Sequence, residues 1–378
     1  MKILILDGAN QNTLAITRYL GKRPELILHV VGYNKLSISC YSKYTHKKIF
    51  LPSPKKQPVE FYYNLIQQLK EEKYDLLMPV GFVSFEICMQ HEEEIKQYTK
   101  VILTNKESFS LASNKLTTYR FAQENGIPCP KTYFLNFPEE IKSLEVPYPI
   151  VIKAPFEMGK NVVEYAYTRE EMISKFETMC RSYGFKSPDL PVVQQFINGD
   201  GFGFFAYYEN GECIQKFMHK RIREYPVSGG ASVCAESFYD KQLDEQGRKM
   251  LNLVRWNGVA MVEFKKHTDG EYKLMEINPK FWGSLELALA AGIDFPYCIV
   301  QKANGESVPK KEAYSQVRFQ WLLNGELFHF FSHPSSFFSI IGDMFSSKKD
   351  LRLSDPMPNL IQFVLVFLHI YKKITGKT

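Results

Sequence analysis

An α/β region followed by an α+β region is the fold class this sequence predicts, and three observations carry it. From Lys2 to Thr104, short apolar runs alternate with helix-period segments, the pattern of a parallel sheet. Beyond Phe109 the strands come in hairpin pairs, with Asn210-Gly211 the strongest turn signal in the chain. The stretch GVAMVEFKKHTDGEYKLMEINPKFWGS, Gly258 to Ser284, reads as two strands joined at Asp269-Gly270.

The elements follow in order. Lys2 to Leu6 is a short apolar strand, then Asp7-Gly8-Ala9-Asn10 leads into a helix through Leu14, Ile16 and Leu20. Strands are predicted at Leu26 to Gly32, Asp75 to Pro79 and Val101 to Thr104, the middle one preceded by a helix through Phe61, Leu65 and Leu69. The first turn has a single Gly and no GxGxxG, which argues against a nicotinamide cofactor. A helix starts at Ser113-Asn114-Lys115 and stops at Gly126-Ile127-Pro128. Lys131 to Leu135, Pro149 to Ala154, Val162 to Tyr167 and Val192 to Ile197 are predicted strands, with a helix from Arg169 to Tyr183 before the last. Phe204 to Tyr208 and Glu212 to His219 form the Asn210-Gly211 hairpin, a polar connection runs from His219 to Ser232, and helices span Asp240 to Asn257 and Phe281 to Gly292.

Composition bounds the function. At 378 residues the chain has room for two or three subdomains, and a net charge of +6 suits anionic small molecules or an anionic surface without arguing for nucleic acid. Seven cysteines without a CxxC pair speak against a disulfide framework or a zinc site. The N-terminus has no signal-peptide pattern, so the cytoplasm is the expected compartment.

Side chains in a strand repeat every two residues, so Tyr272, Leu274, Glu276 and Asn278 are predicted to share a face, with Glu263 beside them on the partner strand. Two carboxylates and an amide are hard oxygen donors suited to Mg²⁺; the plain alternative is the wet face of a hairpin. Lys153 lies in an apolar strand, where an ammonium needs an anionic partner unless its stem packs and its head reaches water. Lys115, at a helix start, allows the same two readings. Gly159-Lys160 is a candidate loop over phosphates.

Taken in order, a lysine ahead of a helix, NGIPCPKT, PIVIKA, a glycine loop, VVQQFINGD, a basic stretch and VEF…MEINPKFWGS resemble the ATP-grasp family, over about Lys2 to Ile299. The resemblance implies a Rossmann-like α/β domain before a two-subdomain ATP-grasp fold and a helical C-terminal extension, divided as 1–108, 109–190, 191–305 and 306–378. It implies that Lys115, Lys153, Gly159 and Lys160 hold ATP phosphates. Gln194, Gln195, Phe196 and Ile197 would form the adenine hinge and Asp200 would approach the ribose. Glu263, Glu276 and Asn278 would hold Mg²⁺, with Mn²⁺ as the alternative ion. The loop FEMGKNV is poorer in Gly than in many relatives, and Lys280 stands where many carry Arg.

The implied reaction is ATP-dependent joining of a carboxylate to an amine through an acyl phosphate, with a phosphotransferase and a non-catalytic ATP-binding module as the alternatives. Arg221, Arg223 and Lys220 are candidates for holding the acyl phosphate, against the reading of a solvated charged connection. Ser228, Gly229 and Gly230 would form a flexible wall, and Lys280, Trp282, Gly283 and Ser284 would adjoin the second substrate, Trp282 reading equally as core. Past Ile299, aromatic residues crowd Phe319 to Phe345, and the apolar run Leu360 to Tyr371 is too short to span a bilayer. It is predicted to pack on the core or to lie in a membrane interface, the latter making a lipid-linked glycan or envelope precursor a candidate substrate. The oligomeric state, a homodimer included, stays open.

Overall fold

The N-terminal run of alternating strands and helices folds as predicted into a parallel sheet. The computed structural model describes residues 1–158, 162–227 and 229–375. Strands β1 (Lys2–Ile5), β2 (Ile27–Gly32), β3 (Lys47–Phe50), β4 (Leu76–Met78) and β5 (Lys100–Val101) pair all-parallel in the order β3-β2-β1-β4-β5. Both faces are covered, so Ile3, Leu4, Ile5 and Leu6 are wholly buried and read as a continuous apolar run. The chain leaves β1 in one direction to build β2 and β3, then crosses back to build β4 and β5. That reversal opens a crevice beyond the carboxyl ends of β1 and β4, where sheets of this type bind ligands.

A small antiparallel sheet follows, β6 (Thr132–Tyr133), β7 (Ile150–Lys153), β8 (Val163–Ala166) and β9 (Val192–Gln195), in the order β6-β9-β7-β8. Its own core gathers Ile150, Ile152, Ala166 and Val193 beneath Met172 and Phe176 of helix Arg169–Tyr183. The Val192–Gln195 strand pairs within this sheet, beside β6 and β7.

The third sheet comprises β10 (Gly201–Glu209), β11 (Glu212–Tyr225), β12 (Ala231–Ser237), β13 (Gly258–Lys266), β14 (Tyr272–Asn278), β15 (Arg318–Gln320) and β16 (Lys348–Lys349), in the order β14-β13-β10-β11-β12-β15-β16. Asn210 and Gly211 take φ of 51° and 84°, the left-handed pair a two-residue hairpin needs. The stretch expected as a polar connection is strand instead: β11 runs on to Tyr225 and β12 returns beside it. The C-terminal extension is mostly helical but adds β15 and β16 to this sheet.

Ion pairs clamp the extension onto the body. The Arg18 guanidinium binds the Asp355 carboxylate at 2.9 Å and also donates to the Asp350 carbonyl and the Asn359 amide oxygen. Glu286, in helix Leu285–Ala290, is buried where these parts meet, facing a cavity of about 270 Å³ also lined by Arg18, Lys22 and Arg352. Burial, reinforced by Asp350, raises its carboxyl from an ordinary 4.5 to about 7, against the pull of Arg18 and Arg352. Between those two values the native state binds the extra proton, so this residue's contribution to stability falls as pH rises through the window. Glu286→Gln is therefore expected to raise the melting temperature at pH 8, by at most about 3 kcal/mol of stability, with little gain at pH 5. Differential scanning calorimetry at the two pH values checks this; an equal effect at both would show that the charge is not responsible.

Candidate active site

The small sheet faces the large one across a cavity of about 650 Å³, within the range of small-molecule sites, and loops of the parallel sheet form its far wall. Along β7, Ile150 and Ile152 enter the core of the small sheet, so Val151 and Lys153 alternate out into the cavity. Asn114 caps helix Lys115–Glu124 by accepting from the Leu116 amide at 2.9 Å, and the Lys115 amide donates to the Pro155 carbonyl at 2.7 Å. These bonds fix Lys115 in the first turn, beside the segment that follows Lys153.

The acids come from the opposite wall, and a β-bulge aims them. Glu263 pairs with Glu276 but Phe264 pairs with Leu274, leaving Met275 as an extra residue in β14. The predicted common face is thereby split. Tyr272 and Leu274 enter the core with Phe264, while Met275, Glu276 and Asn278 turn into the cavity with Glu263. The Lys115 ammonium lies 3.8 Å from Glu276 Oε2, the Asn278 amide donates to Glu276 Oε1 at 2.8 Å, and Arg221 pairs with Glu263 at 2.6 Å.

The charges here are partly sheltered from water. Burial pulls Lys153 down to about 8, and neighbouring Lys115 adds to the effect. Burial likewise lowers Lys280, opposed by Glu157 and Glu276. Burial works upward on both acids: it dominates at Glu263, whereas at Glu276 Lys115, Asn278 and Lys153 together outweigh it and bring the carboxyl below its usual value. Among the described residues five cations line the cavity, Lys115, Lys153, Arg221, Lys265 and Lys280, against three carboxylates, Glu157, Glu263 and Glu276. That excess suits a polyanion such as a triphosphate, which would relieve the repulsion lowering Lys153.

Glu263, Glu276 and Asn278 fit a hard divalent ion that takes its other ligands from phosphate and water. Among the described residues no group of three or more His, Cys, Asp or Glu side chains is placed to enclose a metal unaided. Gln195, Phe196 and Ile197 line the cavity too. The backbone amides of Gln195 and Phe196 already donate to the Lys131 and Pro149 carbonyls, so of the three only the Ile197 amide would remain for a ligand.

Several candidates lie elsewhere. Gln194 lies opposite Val151 on β9 but is wholly buried and does not line the cavity, its amide donating to the Thr132 hydroxyl at 2.8 Å. Asp200 pairs with Lys220 at 2.7 Å on an exposed edge, outside the cavity. Arg223 is turned away by a second bulge: Arg221 pairs with Ala235 and Arg223 with Cys234, so Ile222 is the extra residue. It is buried against Glu326 at 2.5 Å and Asp343 at 2.7 Å, and holds the C-terminal extension in place of any reacting group. Trp282 is both core and contact, packed on Phe205 and Phe295 with its edge on the cavity beside Gly283 and Ser284. Gly229 and Gly230 line the cavity; a Cβ on Gly230 would lie 2.1 Å from the Tyr225 carbonyl oxygen, so this close approach requires glycine. Gly159, Lys160 and Ser228 fall outside the described residues.

The sequence reading missed the far wall. Asn10, Gln11 and Asn12 after β1, and Val80, Gly81 and Phe82 after β4, border the cavity at the switch point of the parallel sheet. Buried Asp7, at φ 64°, ties the two loops together by accepting from the amides of Val80 and Gly81 and the Ser84 hydroxyl at 3.1, 2.6 and 2.5 Å. The signal was present as a polar run directly after an apolar strand, but strand order is needed to interpret it.

Comparison with known proteins bears on this arrangement. A family model described as ATP-grasp in the biosynthetic pathway with Ter operon matches residues 218–324, the segment that supplies Arg221, both acids and Asn278. Residues 218–324 are thus similar to the ATP-grasp family, and the chain as a whole resembles its ligases. It is 25% identical to D-aspartate ligase of Enterococcus faecium over 302 residues, 73% of this chain and 70% of that one. In structure the chain resembles the ATP complex of biotin carboxylase from Campylobacter jejuni, with a TM-score of 0.68 and 17% identity over 82% of this chain and 72% of the other. It also resembles L-amino acid ligase from Bacillus licheniformis, with a TM-score of 0.61 and 15% identity over 80% and 73% of the two chains. At these identities the structural likenesses speak for the shared fold alone.

Proposed function

We propose that this chain is an ATP-grasp ligase that joins a small carboxylate to the amine of an amino acid, with ATP converted to ADP and phosphate. The observation that carries the reading is the convergence of Lys115 and Lys153 on Glu263, Glu276 and Asn278 across one cavity. Lys153 and Lys115 would bind the phosphates, and Glu263, Glu276 and Asn278 would hold Mg²⁺. When bound, that ion supplies charge neutralisation at the phosphate oxygens during transfer to the carboxylate.

Arg221, held between Glu263 and the Gly230 carbonyl, and Lys280 stand ready for the acyl phosphate that the amine then attacks. The switch-point loops at Asn10 to Asn12 and Gly81 supply neutral amide groups, which suit a polar substrate held close to the reacting centre. An amino acid as one of the two substrates is supported by the names of the two amino-acid ligases above. A cytoplasmic setting is part of the same reading, since ATP and free amino acids are available there.

The test is release of ADP and phosphate from MgATP with pools of amino acids and carboxylates, singly and combined. Turnover is expected only when one acid and one amine are present together. ADP without free phosphate, with a phosphorylated single substrate, would replace the ligase reading by a phosphotransferase.

A further inference from the structure

The two helices that end the chain are built inside out. In helix Pro356–Thr375 the inward side chains include polar ones: Asn359 and Gln362 are buried and hydrogen-bonded to each other at 2.8 Å, beside Pro358 and Val366. The outward side chains include Leu360, Phe363, Val364, Phe367, Leu368 and Tyr371. Helix Phe337–Ser346 repeats the arrangement, burying Asp343 among arginines while Phe338 is 84% and Phe345 89% exposed. Between the helices Leu353 is 97% exposed. A helix facing water does the reverse, and exposed apolar surface on this scale marks a contact with something other than water.

Charge indicates what that contact is. From Leu327 onward the sequence has three acids, Asp343, Asp350 and Asp355, against six Lys and Arg. All three acids are buried and engaged: Asp343 with Arg223 and Arg318, Asp350 with the amides of Leu322 and Leu323, Asp355 with Arg18. Lys348 and Lys349, between the helices, form no salt bridge among the described residues, and Lys372 and Lys373 follow the apolar run in sequence, their side chains outside the described residues. The outer surface therefore combines apolar side chains with basic charge and no exposed acid. A second copy of the chain placed on it would bring like charges together, whereas anionic headgroups complement it. Among the described residues no helix is long and apolar enough to cross a membrane.

We propose that helices Phe337–Ser346 and Pro356–Thr375 seat this protein on the surface of an anionic lipid bilayer, lying in the interface without crossing it. The Arg223–Asp343 and Arg18–Asp355 pairs couple both helices to the body, so the catalytic cavity is carried to the membrane surface with them. The inference does not rest on which reaction the cavity performs.

The test is flotation of the full chain with vesicles of phosphatidylcholine, alone or mixed equally with phosphatidylglycerol. The protein is expected to float with the mixed vesicles, and roughly tenfold less with neutral ones or in high salt. Phe338→Ser, Phe345→Ser and Phe367→Ser combined should weaken flotation about tenfold or more while circular dichroism and the melting temperature hold. Lys348→Glu with Lys349→Glu should weaken binding to the mixed vesicles only. Protein left at the bottom of both gradients, or floating equally with both, overturns the proposal. So does a dimer in sedimentation equilibrium that the triple-serine variant dissociates, since the surface would then be covered by a second copy.

Discussion

Replacing Glu276 by Gln is expected to lower the rate of ADP release by about two to four orders of magnitude with the fold intact, because metal stabilisation of a transferring phosphoryl group is worth several kcal/mol and each 1.36 kcal/mol is a factor of ten. The substitution keeps the shape and leaves oxygen for the Asn278 amide, which now bonds Glu276 at 2.8 Å. It removes the negative charge that faces Lys115 at 3.8 Å and that would bind the ion. No described backbone group depends on this carboxylate, so the melting temperature should move little. Steady-state ADP release at saturating MgATP, with calorimetry on the same preparation, measures both quantities. A variant retaining a tenth or more of the activity would remove Glu276 from the metal site.

Arg223→Ala should act on stability in place of chemistry. The guanidinium is the shared partner of Glu326 and Asp343, which are both nearly inaccessible to water, with Arg318 bound to the far side of Asp343 at 2.7 Å. Deleting one member of a buried ion cluster leaves uncompensated charge, typically a loss of about 3–5 kcal/mol. Urea unfolding should show that loss, and ATP affinity of the folded fraction should stay within about twofold, since Arg223 does not reach the cavity. Arg223→Met combined with Glu326→Leu and Asp343→Leu should recover part of it, because an apolar replacement of the whole cluster leaves little buried charge unmatched. A stability change below about 1 kcal/mol together with lost turnover would return Arg223 to the reaction.

How much of the site could be read from sequence differs residue by residue. Lys153 is placed by simple alternation, because Ile150 and Ile152 claim the core and leave the opposite face to the lysine. The Asp269-Gly270 turn brings the strands of Glu263 and Glu276 side by side, and Asn210-Gly211 closes its hairpin with the φ values its residue types allow. Such features depend on neighbours within a few positions, and local periodicity determines them.

What the sequence left undecided lies where one residue changes a whole face. The bulges at Met275 and Ile222 reverse the side-chain alternation, sending Leu274 to the core and Arg223 to the C-terminal extension, away from where unbroken alternation would put them. The β12 strand hid in a Gly- and Ser-rich stretch because its partners, β11 and β15, are set by packing. The loops after β1 and β4 became walls of one cavity only once strand order placed them side by side, with Asp7 bridging them. The apolar C-terminal run was visible in the sequence, but which side of it faces water was not. That was decided by Arg18, more than three hundred residues away, which pairs with Asp355 and Asn359 and so turns the polar face inward. Local propensity determined the elements of this protein; bulges, strand order and long-range ion pairs decided their orientation, because those depend on contacts that no short window of sequence contains.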